Sequence, residues 1–193
     1  MRFNPFFSLL TTISYVLRGR LHFPGERIGE VLTMEDGKVY TVFRQAIVDP
    51  SPDQPKEPGV TFKVRFRVAR MSTKQNKLFS LLPIPFFVGL PGFRSKLWML
   101  NEASSECQGI YQWDTMQDAE NYASSFAMKF MTLRSIPGSV SYEIFLKQGP
   151  MQNRCSSQAG LFLYCLLLCP ASPLNLNRLS FLDHSFRTGS IVA

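Results

Sequence analysis

The chain has 193 residues, 45% of them hydrophobic and 18% charged, a balance that describes a globular protein with enough apolar material for a real core. Its four cysteines are too few and too badly spaced for a disulfide framework, and no run approaches the ~20 apolar residues of a bilayer span. The net charge of +7 sits mainly in the middle of the chain: residues 59–149 hold eleven Lys/Arg against six Asp/Glu, whereas residues 1–58 hold seven of each. That excess permits an anionic partner without requiring one.

In chain order, Phe6 to Leu17 reads as a helix with Phe6, Leu10, Ile13 and Leu17 on one face. This is the pattern of a surface-docked or interfacial helix, so membrane contact, if any, is peripheral and made through this element. Glu30 to Val48 reads as a β-hairpin about Asp36-Gly37, for which a two-residue type I′ turn is expected. The four prolines between Asp49 and Pro58 then mark a linker. Residues 1–58 are thus expected as an extension to a domain that begins at Gly59.

Within residues 59–149, Val60 to Met71 alternates, with Phe62, Val64, Phe66 and Val68 on one face and Lys63, Arg65 and Arg67 on the other. A helix is predicted over 73–82, stopped by Pro83 and Pro85, and an apolar loop follows to Pro91-Gly92. Strands are predicted at Phe93–Asn101 and Glu106–Trp113. A long helix then opens at Asp114 or Thr115 and buries Ala119, Tyr122, Phe126, Phe130 and Leu133. Ser139–Lys147 is the last strand. The order β-α-β-β-α-β predicts an α+β, ferredoxin-like fold with a four-stranded antiparallel sheet and both helices on one face. Residues 150–193 show no sustained period and are expected to be a poorly ordered tail. The spacing of Cys155, Cys165 and Cys169 does not match a zinc site, so no metal is expected. Free cysteines point to a reducing, cytoplasmic setting.

The stretch Pro91-Gly92-Phe93, Lys96, Trp98, Gly109-Ile110-Tyr111, Ala119 and Tyr122 resembles the YdhR-like mono-oxygenases of the dimeric α+β barrel superfamily. The resemblance is clear over residues 90–126 and extends by element order to 59–147. It implies a homodimer joined through the sheet face opposite the helices, and a ligand pocket between sheet and helices. It also implies oxygen chemistry on a small aromatic or enolate-forming metabolite. The only histidines, His22 and His184, lie outside the central module, which argues against haem and for a cofactor-free reaction. The candidate site consists of Lys63, Arg65 and Arg67, as positive potential for an anionic ligand, with Trp98, Tyr111 and Trp113 as the aromatic lining; no catalytic residue is assigned. Two alternatives stand beside an enzyme: a non-catalytic ligand-binding or structural dimer on the same fold, and an RNA-recognition module with bases stacked on sheet aromatics.

Overall fold

The computed structural model describes residues 4–147 and 187–190, which form one compact unit. The expectation for most of the C-terminal tail, and for Cys155, Cys165, Cys169 and His184, falls outside the described residues. The elements are α1 (Pro5–Leu17), β1 (Leu21–His22), β2 (Val31–Thr33), β3 (Val39–Val48), β4 (Val60–Arg67), α2 (Thr73–Phe79), α3 (Ile84–Val88), β5 (Phe93–Asn101), β6 (Glu106–Trp113), α4 (Met116–Ala123), α5 (Phe126–Leu133), β7 (Ser141–Leu146) and β8 (Arg187–Ser190). The fold is α+β. All strand pairs among the described residues are antiparallel, in the order β1-β3-β5-β6-β4-β7-β8, and β2 pairs with β3.

The sheet therefore runs beyond the four strands expected. The ten-residue β3 adds to the edge of β5, so the proline-rich connection joins two parts of one sheet. Residues 187–190, expected within the tail, likewise add an edge strand beside β7. The β2–β3 hairpin forms, but with a three-residue turn rather than the two-residue type I′ turn expected. The Gly37 N–H bonds the Met34 carbonyl, the Met34 N–H bonds the Lys38 carbonyl, and Gly37 takes φ +76°. That left-handed residue is what a type I turn with a following bulge requires.

Local chemistry also shortened the helices. The long helix predicted after Trp113 is two helices, because Ser125 takes an extended conformation and its side chain caps Met128 N. The predicted apolar loop contains α3, whose prolines sit at its start, where no helical N–H is needed. Two carbonyls of this five-residue helix are satisfied from outside. Ser8 Oγ donates to Phe86 O at 2.6 Å and Thr12 Oγ1 to Pro85 O at 2.8 Å, which seats α1 on α3. A Cβ at Gly89 would lie 1.9 Å from Ser8 O, so only glycine allows this approach.

The strand period of two divides the sheet into unlike faces. One carries Val60, Phe62, Val64, Trp98, Tyr111 and Trp113, packed against Ile84, Phe87 and Val88 of α3, Ala119 and Tyr122 of α4, and Ala127 and Met128 of α5. The other carries a smaller cluster of Tyr40, Val42, Leu97 and Met99, covered at one end by Leu32 and Met34 of the protein's own hairpin. A β-bulge between Val42 and Arg44 lets β3 serve both faces.

Candidate functional site

The six residues expected to share a site do not lie together. Phe62 is paired with Tyr111 and Val64 with Gly109, which puts the aromatic residues beneath the helices; Lys63 is paired with Ile110 and Arg65 with Gln108, on the opposite face. The grouping of cations with aromatics therefore fails, because alternation within β4 and registry with β6 assign them to different sides of one sheet. Two of the three cations are also neutralised. Lys63 Nζ lies 2.5 Å from Glu143 Oε2. Arg65 bonds Asp36 and donates from Nε to Gln108 Oε1 at 2.6 Å, while Arg67 is exposed at the strand end. Trp98 and Tyr111 line a cavity; Trp113, fully buried, packs behind it against Phe93 and Tyr122.

The cation that does meet the aromatics is Lys96. It stands on β5 two residues before Trp98 and opposite Tyr111, so it shares their face. The residue is only 6% exposed, and its ammonium position lies 4.3 Å from the ring centres of Trp98 and Tyr111 and 4.4 Å from that of Phe87. No carboxylate or other hydrogen-bond acceptor pairs with it among the described residues. Three sequence features build this box. β5 carries Lys96 and Trp98 at strand period. α3 brings Phe87 down onto the sheet. Gly109 presents only hydrogen, where a Cβ would lie 3.6 Å from Lys96 Cε and 2.9 Å from the Tyr111 ring.

The cavity has a volume of about 50 Å³ and lies between the sheet and α2, α3 and α5. Cys107, Tyr111 and Tyr122 also face it, and the half-buried Phe130, Met131 and Arg134 line its outer part. Burial, followed by repulsion from the nearby Arg44 guanidinium, holds the Lys96 amine well below the usual lysine range. Burial thus shifts the group toward its neutral form, the form that acts as a base or nucleophile. Burial pushes the Cys107 thiol up to about 11, so it stays protonated near neutrality, and Asn76 Nδ2 donates to its sulfur at 3.0 Å. The Tyr122 hydroxyl donates to Tyr111 Oη at 2.5 Å, and burial raises both phenols. Lys96 is thus the cavity amine that burial pushes toward loss of its ordinary charge.

The sequence held a signal for Lys96 that the alternation of Lys63, Arg65 and Arg67 obscured. A single lysine in the run Lys96-Leu-Trp-Met-Leu, flanked by residues that fill both faces of a strand, has no solvated side to turn toward. Phe87 carried no such signal, since its approach depends on how α3 returns to the sheet, whereas helical period had already placed Tyr122 on a buried face. Among the described residues no group of three or more His, Cys, Asp or Glu is placed to hold a metal ion. No protein-family model matches the chain, and no curated protein matches it significantly.

Proposed function

We propose that the protein is a small, cofactor-independent mono-oxygenase-like enzyme whose substrate, a phenol or enol-forming metabolite, binds against Lys96. The observation that carries this reading is a buried amine with no counter-ion, enclosed by three aromatic faces. A neutral amine removes the acidic proton of such a substrate, and the ammonium so formed is held by the ring faces beside the new anion. The electron-rich anion then reduces oxygen. In the overall reaction a ring CH2 becomes C=O and the second oxygen atom leaves as water, with the substrate supplying all four electrons.

The fold component of the proposal, a ferredoxin-like core of the dimeric α+β barrel type, is supported by the strand order β5-β6-β4-β7 with helices in both crossovers. A homodimer through the face opposite the helices belongs to the same reading. The protein's own hairpin covers one end of that face, so the partner would meet the half-exposed band of Thr61, Lys63, Ile110, Gln112 and Phe145. Light scattering should then give twice the 22.0 kDa chain mass at micromolar concentration, and a monomer would remove this part of the proposal. Against the RNA reading, Trp98, Tyr111 and Trp113 are 5%, 1% and 0% exposed beneath the helices and offer no open ring face for stacking.

Cavity size supplies the sharpest test. About 50 Å³ is a third of the ~150 Å³ in which an apolar cavity takes up benzene. A ring therefore enters only if Phe130, Met131 and Arg134 swing outward. Oxygen uptake should be measured with polycyclic phenols that tautomerise to a ring CH2, alongside binding read by tryptophan fluorescence. Lys96→Met should lower turnover on the order of 100-fold or more, the usual loss with a general base, while binding persists. Binding without oxygen uptake by the unaltered chain would favour the second reading, a non-catalytic ligand-binding protein. The small closed volume is the observation on that side.

A further inference from the structure

Helix α1 is mounted inside out. Its small polar residues Ser8 and Thr12 are buried against α3, while Phe6, Phe7, Leu10, Ile13, Val16 and Leu17 are between 45% and 82% exposed. The α3 carbonyls need donors, and the hydroxyls of α1 supply them. The consequence is an uncharged helix of 13 residues, about 20 Å long, whose apolar side has no partner in the chain's described part. Exposed apolar residues continue beside it. Leu78, Leu81 and Leu82 at the end of α2 are 70%, 44% and 55% exposed, and Phe126 on α5 is 49% exposed. A shared groove lined by Pro5, Leu82, Phe86 and Phe126 joins these residues into one surface.

Charge indicates what meets this surface. The sequence has no Asp or Glu at positions 1–25, 68–101 or 121–142, the stretches that supply α1, α2, α3 and α5. Those same elements and their flanks carry Arg18, Arg20, Arg70, Lys74, Lys77 and Lys129. Arg70 borders the exposed leucines of α2, and Lys129 stands between Phe126 and Phe130. The carboxylates of the described residues lie elsewhere: on α4, in the loops about β2 and β3, in the proline-rich connection, in the β5–β6 turn, at Asp114 after β6, and on β6 and β7. A large apolar patch rimmed by cations alone has the chemistry of an interfacial element on anionic lipid: the apolar side chains enter the acyl boundary while the cations stay at the phosphates.

We propose that the surface formed by α1 and the adjoining ends of α2 and α5 docks onto an anionic lipid bilayer, lying in the interface without spanning it. This inference does not depend on the chemistry at Lys96.

The test is co-sedimentation of the full chain with vesicles of phosphatidylcholine alone and of phosphatidylcholine mixed with phosphatidylserine. Binding should be strong to the mixed vesicles, weaker to the neutral ones, and reduced by salt. The double substitution Leu10→Glu, Ile13→Glu places charge on the exposed side and leaves the buried side untouched. It should keep the circular dichroism spectrum and lower affinity for mixed vesicles on the order of 100-fold. Two outcomes overturn the proposal: no binding of the unaltered chain to mixed vesicles, or equal binding by the variant, which would move the contact to another part of the chain. A third also overturns it. If neither protein binds vesicles and the substitution converts an oligomer to monomer by light scattering, the patch is covered by a second copy.

Discussion

The two faces of the sheet treat a positive charge in opposite ways. On the face away from the helices, Lys63 and Arg65 remain half-buried and each has a carboxylate, Glu143 and Asp36. On the helix face Lys96 is almost fully buried, has three rings in place of a carboxylate, and is pushed toward its neutral form. Basic side chains are common to both faces. What differs is whether the neighbouring strand and turn bring an acid within reach. Where they do, the lysine is a structural fastener. Where the helices enclose it without one, it becomes a chemical group.

Substituting the two kinds of cation sharpens this contrast. The largest effect is expected at Lys96. Lys96→Met keeps the bulk and removes the cost of burying an amine, so thermal or urea unfolding should show stabilisation of about 1–3 kcal/mol at neutral pH. The pH dependence follows from the lowered folded-state value. Above it the native state has already lost a proton that the unfolded chain still holds, up to the ordinary lysine range near 10.4. The unaltered protein should therefore gain stability as pH rises from 7 to 9, and Lys96→Met should lack that slope. Above pH 9 the raised Cys107 thiol acts in the opposite direction, since the unfolded thiol ionises first, so the measurement belongs below that point. A flat profile in both proteins would mean that Lys96 keeps its charge in the box. The effects on the other face should be smaller. Arg65→Met releases Asp36 and Gln108 and should destabilise modestly, with no pH slope of the kind expected for Lys96. Lys63→Met should stay within ~0.5 kcal/mol, as partly exposed pairs generally do.

Much of the framework was legible in the sequence because periodicity reports burial directly. The alternation of Phe62, Val64 and Phe66 located β4, and the runs ending at Asn101 and Trp113 located β5 and β6. The pocket between sheet and helices was an implication of the family resemblance, and Trp98 and Tyr111, named from the sequence, do line the cavity there. The sequence did not give the cation. Alternation tells which residues of one strand share a side, but registry tells which side of the next strand they join, and registry is a tertiary property. The addition of β3 to the edge of β5 was hidden for the same reason, since the four prolines after Asp49 gave a local reading of separation that sheet pairing overrode. For α1 the period placed Phe6, Leu10, Ile13 and Leu17 on one side, but it left open which side meets the protein; that is decided by two carbonyls of α3 that take their donors from Ser8 and Thr12.

The bulge in β3 has an effect on how this cavity can vary. Val42 faces Met99 and Arg44 faces Trp98, so Phe43 has no counterpart on β5. The same holds at the other bulge, where Phe93 faces Trp113, Ser95 faces Gln112 and Arg94 is left over. The two surplus residues do different things. Phe43 forms part of the cavity wall, whereas Arg94 reaches Asp114 at 2.9 Å and the carbonyls of Pro55 and Lys56 at 2.8 Å, tying down the proline-rich connection. Because the ladder does not count these two positions, the chain can change a wall of its cavity, or loosen the proline-rich strap, without reassigning any other side chain in the sheet. The shape of the cavity is therefore freest to change at position 43.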